Sequence, residues 1–284
     1  MSLRFFYHFV LFMALIAAGQ PARAASDNPV PVSVTDPRLG EVLFHYYQDD
    51  YFPAIVRLRA ARQQGQLDIE EARSELLLGD MLLADGQHLE AANIFERLST
   101  DNADRQTRDR AWLSLAKTWH RLSDLDKAQE ALHHMSENLP DDLSHEARSV
   151  QAQIFIDTGQ YDRTINLLQG LDDSSLWTSY ARYNLSVALL RAGRVDAAAQ
   201  NLDVLGNVEP INAELSSLRD KANLALGYLQ LREEQPQSAR VALQRIPLEG
   251  PFSNKALLGL GWAEARLGNY ESALENWVRL RDRD

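Results

Sequence analysis

The chain has 284 residues, of which 45% are hydrophobic and none is cysteine, so it can bury a core but cannot hold that core together with disulfides. Its formal net charge of −11 argues against a phosphate backbone as partner, because nucleic acid binding requires a basic surface. We therefore expect no nucleic acid partner, and the stability of the fold must come from packing.

The N-terminal residues resemble a secretory signal peptide and not a part of the fold. Arg4 supplies positive charge, residues 9–18 form an apolar run, and Ala22-Arg23-Ala24 provides the small residues of a cleavage site. Cleavage after Ala24 predicts a signal peptide over 1–24 and a periplasmic protein of a Gram-negative-type bacterium, with no integral membrane segment after cleavage. The alternative is a retained N-terminal anchor, although the run is shorter than the roughly 20 residues that a spanning helix needs.

A linker is predicted over residues 25–36, where prolines alternate with valines. Asp36 and Pro37 then predict a helix start, with the aspartate as cap and the proline in the first helical position. From Pro37 onward apolar residues recur at helical spacing, without a run of alternating strand residues. The predicted helices form seven pairs: 37–48 with 52–64, 69–85 with 88–99, 105–122 with 125–137, 144–158 with 161–170, 174–192 with 195–205, 211–232 with 236–246, and 251–267 with 270–281.

The seven pairs share one register of small residues. One small residue falls in the first turn of each second helix, and successive members lie 34 to 41 residues apart. A small side chain at such a point lets two helix backbones approach closely. This contact column consists of Ala54, Ala91, Ala128, Thr164, Ala198, Ala239 and Ala273.

Two further columns keep the same register. Five residues before the contact column lies a turn, where four of the seven residues are glycine, as expected where a helix ends in a left-handed residue. Twelve residues before the contact column lies a second contact position, which is small in six of the seven pairs. The turn column reads Asp49, Gly86, Ser123, Gly159, Gly193, Glu234 and Gly268, and the second contact column reads Val42, Gly79, Ala116, Ala152, Ser186, Gly227 and Gly261.

A helix–turn–helix unit with a period near 34 residues resembles the tetratricopeptide repeat. The resemblance covers residues 37–284 and implies an all-α fold, a right-handed superhelical solenoid of about seven such repeats. The first and sixth repeats depart from the pattern, with Asp49 and Val42 in one and Glu234 in the other. The alternative is a generic helical bundle rich in alanine.

The array has no polar capping helix after its last pair. Repeat arrays usually end in such a cap, because each unit buries its face only against its neighbours. We therefore expect the natural chain to continue beyond Asp284; the alternative is a partner that covers the open flank.

The sequence contains none of the usual catalytic spacings. A nucleophile elbow, a His-Glu-x-x-His motif and a phosphate-binding glycine loop are all missing from it. His133 and His134 are adjacent, so a helix points them about 100° apart and not towards one metal ion. We expect no enzyme activity, no metal and no cofactor, and an enzyme would require a catalytic domain beyond Asp284.

The resemblance implies that the first helix of each pair lines an inner, concave wall where extended peptides bind. Basic residues there favour an acidic partner or a C-terminal carboxylate, although arginines at helix ends also complement the helix dipole. Aromatic residues suit peptide anchoring or sugar stacking, with packing between repeats as the alternative. The candidate partner-binding residues are Arg73, Arg110, Lys221 and Lys255 near helix starts, Arg121, Arg191, Arg232 and Arg266 near helix ends, and the aromatics Tyr46, Tyr183, Tyr228 and Trp262.

The function that these features predict is a non-catalytic periplasmic scaffold. It would mediate protein–protein interactions in the assembly or regulation of a cell-envelope complex. The alternative is a glycan-handling module associated with polysaccharide export or cell-wall remodelling, which would use the aromatic side chains as stacking platforms.

Overall fold

A computed structural model describes residues 36–65, 67, 69–100, 104–170 and 176–283. Within these ranges the chain is helical and contains no strand, which confirms the all-α prediction. The predicted signal peptide and the linker up to residue 35 lie outside the described residues. The first helix begins at Pro37, and the Asp36 carboxylate caps it by accepting a hydrogen bond from the Arg38 amide at 2.9 Å.

Fourteen helices lie in the described ranges, in the predicted pairs. They are α1 (Pro37–Tyr47), α2 (Tyr51–Gln63), α3 (Glu71–Asp85), α4 (His88–Thr100), α5 (Arg105–Arg121), α6 (Leu125–His133), α7 (Asp141–Asp157), α8 (Tyr161–Leu168), α9 (Leu176–Arg191), α10 (Val195–Gly206), α11 (Ala213–Arg232), α12 (Pro236–Gln244), α13 (Ser253–Arg266) and α14 (Tyr270–Arg281).

The largest difference from the predicted boundaries is at α6, which ends at His133 and not at residue 137. The backbone amide of Ser136 donates to the Asp109 carboxylate of α5 at 2.9 Å. This hydrogen bond holds the chain close to α5 and away from the path that a longer helix would follow. Apolar spacing alone could not reveal it, because the acceptor lies on the preceding helix.

The chain divides into two compact units at Leu167. The N-terminal unit contains α1 to α7 and all of α8 except Leu168, and the C-terminal unit contains α9 to α14. In the N-terminal unit α3 contacts α5, and α5 contacts α7; in the C-terminal unit α9 contacts α11, and α11 contacts α13. Within each unit the first helices of successive pairs are therefore neighbours.

The two contact columns lie in the core, as predicted. No member of the first column is more than 1% exposed, and every member of the second is buried. A Cβ atom on Gly79 would lie 2.5 Å from Cε1 of Phe95, and one on Gly261 would lie 2.0 Å from Nε1 of Trp277. Both distances are below van der Waals contact, so a larger residue would push the paired helix away.

The turn column is left-handed in all seven pairs, including the three that lack glycine. Asp49, Ser123 and Glu234 have φ angles of 59°, 62° and 58°, in the same left-handed region as the 74–89° of the four turn-column glycines. The two irregular repeats therefore keep the same turn geometry as the regular ones, and the predicted register is correct. A non-glycine residue pays about 1–2 kcal/mol for this conformation.

Candidate partner-binding faces

The predicted partner-binding residues share one side of each first helix. Lys255, Trp262 and Arg266 on α13 follow the spacing i, i+7, i+11, which places them on one helix face. The other predicted cations and Tyr228 occupy equivalent positions on their own first helices, and Tyr46 and Tyr183 occupy neighbouring positions of the register. Together the predicted residues define two surfaces, one in each compact unit. The N-terminal first-helix face carries Tyr46, Arg73, Arg110 and Arg121, and the C-terminal first-helix face carries Tyr183, Arg191, Lys221, Tyr228, Arg232, Lys255, Trp262 and Arg266.

The predicted arginines of the N-terminal first-helix face are paired within the unit. Arg110 of α5 lies 3.1 Å from the Asp142 carboxylate of α7. Arg73 lies 3.6 Å from the Glu70 carboxylate at the start of its own helix. Their charge is thus partly neutralised before any partner arrives.

Two further side chains of α5 bridge neighbouring first helices on this side. Lys117 of α5 forms an ion pair with Glu146 of α7, and His120 of α5 lies 2.8 Å from the Asp157 carboxylate of α7. Sequence analysis missed both pairs. Each joins residues about one repeat length apart, so a search for complementary charges at that separation could have found them.

A partly buried carboxylate lies between two first helices of the N-terminal unit. Asp80 of α3 accepts a hydrogen bond from the Ser114 hydroxyl of α5 at 2.9 Å. Burial raises the pKa of Asp80 to about 6, although Lys117 and the Ser114 hydrogen bond oppose this shift. Nearby Tyr46 is half-buried, and burial also raises the pKa of its hydroxyl. The two groups belong to the packing between repeats and not to an open surface.

Two arginines near helix ends contact the end of the preceding first helix. Nη1 of Arg121 donates to the Leu83 carbonyl at 3.1 Å, and Nη1 of Arg266 donates to the Leu231 carbonyl. Each of these carbonyls also accepts a long hydrogen bond from a backbone amide of its own turn, from Gly86 at 3.4 Å and from Glu234 at 3.3 Å. The guanidinium adds a second donor at a helix end, where carbonyls are poorly satisfied. This geometry gives the two arginines a structural role, one in each unit.

The C-terminal first-helix face carries aromatic rings on three consecutive first helices. The Lys221 ammonium lies 4.8 Å from the ring centre of Tyr183, within cation–π range. Burial lowers the pKa of Lys221 and raises that of Tyr183 to about 12. The Tyr228 hydroxyl donates to the Lys255 carbonyl at 3.0 Å, which joins α11 to α13. Burial raises the pKa of Tyr228 to about 12, so it remains a neutral donor.

Trp262 is the most open aromatic ring of this face. It is 47% exposed and packs edge-on against Trp277 of α14, with the ring centres 5.3 Å apart. Lys255 lies two helical turns before Trp262 on α13, and Arg191 lies at the end of α9. Both cations are exposed, and neither side chain forms a hydrogen bond or ion pair with the part of the chain that the structure describes. Arg232, by contrast, lies 2.8 Å from the Glu233 carboxylate.

The tetratricopeptide repeat family matches two segments of the chain, residues 149–205 and 224–280. The chain contains tetratricopeptide repeats in these two segments. This fold implies a scaffold for protein–protein interactions, and tetratricopeptide repeat proteins are generally non-catalytic scaffolds.

Solved structures support the fold assignment. A tetratricopeptide repeat protein from Parabacteroides merdae ATCC 43184 is 14% identical, with 86% of this chain and 91% of that chain covered and a TM-score of 0.55. PilW, a type IV pilus biogenesis factor, is 17% identical over 76% of this chain and 94% of its own, with a TM-score of 0.55. The apo form of RapI is 14% identical over 86% of this chain and 75% of its own, with a TM-score of 0.62.

Comparison with curated proteins gave no match. Across the described residues, no helix combines the length and the apolar character needed to cross a bilayer. Among the same residues, His, Asp and Glu side chains nowhere converge in a group of three that could hold a metal ion.

Proposed function

We propose that this tetratricopeptide repeat protein is a non-catalytic periplasmic scaffold that binds a protein partner through its C-terminal first-helix face. It would take part in assembling or regulating a cell-envelope complex. One observation carries the proposal: this face combines an exposed indole, Trp262, with the exposed and unengaged cations of Lys255 and Arg191. PilW, which shares the fold, is a type IV pilus biogenesis factor, and an assembly role of that general kind is consistent with the proposal.

The chemistry of this face indicates what its partner should carry. An exposed indole offers a large rigid surface for an apolar side chain, and such rings often dominate binding energy. Lys255 would attract a carboxylate near that apolar side chain, or a free C-terminus. The face is built on preformed helices, so binding costs little additional ordering of the scaffold. A short acidic segment with an apolar anchor is the partner that fits best.

The periplasmic location rests on the signal-peptide features of residues 1–24, which lie outside the described residues. Cell fractionation with N-terminal sequencing tests it. We expect the mature protein in the periplasmic fraction, with Ala25 as its first residue. A full-length protein that stays with the membrane would support the retained anchor instead.

Site-specific cross-linking tests the binding face. The natural sequence contains no cysteine, so a thiol reagent labels only the cysteine that is introduced. A photoreactive maleimide is attached to Lys255→Cys or Arg191→Cys in the mature chain, and each labelled protein is mixed with a periplasmic extract. The matched control is Glu275→Cys, exposed on the second helix α14. We expect one protein to be cross-linked from both face positions and not from the control. Equal cross-linking from all three, or from the control alone, would refute the proposal.

A second candidate function is binding of a soluble polysaccharide, which the exposure of Trp262 favours because sugars stack on open aromatic rings. The tryptophan fluorescence of the mature chain is titrated with soluble cell-wall and export polysaccharides, and Trp262→Ala serves as the control. Saturable quenching that disappears in the variant would support this candidate. An unchanged spectrum would contradict polysaccharide binding and favour the protein-binding scaffold.

A further inference from the structure

Phe44 is exposed at a position of the repeat that is buried in every later repeat. It lies on α1, two residues after the second contact column, and 62% of its surface is exposed. None of the six equivalent residues on the later first helices is more than 5% exposed. These residues are Met81, Thr118, Ile154, Ala188, Leu229 and Ala263. The exposure of Phe44 is therefore a property of the first repeat and not of the repeat architecture.

In later repeats the preceding second helix lies on this side of the first helix. A Cβ atom on Gly259 of α13 would lie 2.8 Å from Cδ1 of Leu243 in α12, and Ala263 lies one turn after Gly259 on the same side. Within the two units α3 likewise contacts α2, and α11 contacts α10. Each of these first helices is thus packed against the part of the chain that directly precedes it.

The surface around Phe44 fits a narrow segment better than a whole helix. Phe44 is larger than each of its six equivalents, so its ring fills part of the space that a preceding helix occupies in the later repeats. Gly40 lies one turn before Phe44 on the same side of α1 and brings no side chain. An extended chain can therefore lie close to α1 beside the ring.

The part of the chain directly before α1 has the composition to cover Phe44. Residues 30–34, which lie outside the described range, read Val-Pro-Val-Ser-Val. In an extended chain these valines share one side. The sequence carries no charge between Asp27 and Asp36, so this segment can lie on an aromatic ring without burying a charge.

The segment also has the length and the connection that such a contact requires. Phe44 follows the capping residue Asp36 by eight positions, which is about 12 Å along a helix. About four extended residues cover the same length, so a segment that runs back along α1 brings Val32 level with Phe44. Because the segment is tethered to α1, its effective concentration is in the millimolar range. A second copy of the chain has no such advantage.

We propose that the side of α1 that carries Phe44 is a docking surface for residues 30–34 of the same chain, with Val32 against the ring. The segment would take the place that the preceding second helix has in the later repeats. It would thereby cover the apolar surface at the start of the first repeat, where an uncovered ring invites unwanted contacts.

Hydroxyl-radical footprinting of the mature chain at a low and a high protein concentration tests the proposal. Phe52 on α2 is a matched reporter, because it is the same residue type and is 66% exposed, against 62% for Phe44. We expect Phe44 to be oxidised several-fold more slowly than Phe52 at both concentrations. Equal oxidation of the two side chains would overturn the proposal. So would protection of Phe44 that appears only at the high concentration, because a second copy would then be the cover.

The decisive variant is Val30→Asp with Val32→Asp. A carboxylate is not stable against an aromatic ring, so oxidation of Phe44 should rise to the rate of the reporter, with circular dichroism unchanged. The control is Ser26→Asp with Ser33→Asp, which makes the same change in net charge before α1 but leaves the valines in place. It should keep the protection. Protection that the decisive variant retains, or that both variants lose equally, would contradict the proposed contact.

A cysteine pair gives a second readout that leaves Phe44 in place. Gln48 is exposed one turn after Phe44, and the proposed path brings Val30 level with it. Val30→Cys with Gln48→Cys should form an intramolecular disulfide under mild oxidation several-fold faster than Val30→Cys with Val56→Cys, a control site on α2 that is 48% exposed. Equal rates, or no disulfide in either, would refute the path along α1. No partner protein is present in these experiments, so their outcome is independent of the proposed scaffold function.

Discussion

The two first-helix faces are built on the same repeat but use their charges differently. In the N-terminal unit, Arg110 and Lys117 pair with carboxylates of the next first helix, and Arg121 contacts a helix-end carbonyl. In the C-terminal unit, Lys255 and Arg191 remain exposed, and neither pairs with another described residue. The first face uses these polar groups to join repeats. On the second face Tyr228 and Arg266 also join repeats, but the cations of Lys255 and Arg191 stay available to a partner.

This contrast distinguishes the residue positions that the repeat architecture fixes from the positions that are free to vary. The contact and turn columns are the same in both units, because helix packing requires small residues and left-handed turns at those points. The positions on the first-helix faces carry no such requirement, so they differ from repeat to repeat. Binding specificity in this chain should therefore be sought outside the columns that define the repeat.

The largest effect that we expect comes from filling a contact glycine in each unit. Gly79→Ala should destabilise the N-terminal unit by about 2–3 kcal/mol, because Phe95 is fully buried and cannot move away from the new methyl group. Gly261→Ala should cost less than half as much, since Trp277 lies in the last helix and is only partly buried. Urea unfolding of both variants measures the difference, and equal losses would contradict this account of the packing.

The next largest effect that we expect is a pH-dependent change in the stability of the N-terminal unit. Burial raises the pKa of Asp80 to about 6 from an ordinary value of 3.8. The folded state therefore binds this proton more tightly than the unfolded state, and the stabilisation is complete below about pH 4 and lost as the pH rises through 6. Asp80→Asn should stabilise the unit by about 2 kcal/mol at pH 7 and by progressively less towards pH 4.

The pKa of Glu75, in the same unit, shifts in the opposite direction to that of Asp80. Burial raises its pKa, but hydrogen bonds from Arg62 and Arg97 outweigh burial and lower the pKa overall. Glu75→Gln should therefore lose stability at pH 7, with the loss shrinking as the pH falls below the ordinary carboxylate range. Urea unfolding at pH 4 and pH 7, followed by the fluorescence of Trp112 and Trp119, compares the two variants. The same pH trend in both would contradict the assignment for Asp80.

A smaller effect distinguishes the arginines at helix ends. Arg121→Ala should destabilise the N-terminal unit by about 1 kcal/mol, because the Leu83 carbonyl then keeps only the long hydrogen bond of 3.4 Å from the Gly86 amide. Arg191→Ala should change stability by less than about 0.5 kcal/mol, as expected for an exposed side chain. For partner affinity we expect the reverse order, with Arg191→Ala the more damaging. Thermal unfolding and a binding assay on both variants would reveal whether this division of roles is wrong.

The smallest effect is expected at the turns that lack glycine. Glu234→Gly in the C-terminal unit should stabilise by about 0.5–1 kcal/mol, because glycine avoids the left-handed strain. Asp49→Gly in the N-terminal unit should be nearly neutral, since Asp49 also accepts a hydrogen bond of 2.5 Å from the Tyr51 hydroxyl. Denaturant midpoints of both variants test this, and a destabilised Glu234→Gly would show that the turn is not strained.

Much of the fold could be predicted because its determinants are local and repeated seven times. Small residues, turn residues and apolar periodicity each recur at fixed offsets, so even the irregular turns at Asp49 and Glu234 were placed correctly. The end of α6 was not, because a side chain of α5 determines it. Predictions from spacing fail where one distant carboxylate captures a backbone amide.

The candidate sites were less accessible to prediction. Spacing could place the twelve candidate residues on the first helices, but it could not show which cations a neighbouring repeat already neutralises. Arg121 and Arg191 occupy equivalent positions in the sequence, yet only Arg121 bonds to a carbonyl of the neighbouring first helix. Such differences depend on side-chain contacts about one repeat away. The sequence does not show them, because they depend on which side chains of neighbouring first helices lie within contact distance.

Hydroxyl-radical footprinting of the mature chain, alone and with the partner recovered by cross-linking, tests the central claim most directly. The method oxidises exposed side chains, and Trp262, Tyr47 and Tyr270 are 47%, 58% and 74% exposed. They report on the C-terminal first-helix face, the N-terminal first helix α1 and the second helix α14, respectively. The account predicts that the partner strongly reduces oxidation of Trp262 and leaves both tyrosines unchanged. Protection of Tyr47 with unchanged oxidation of Trp262 would contradict it.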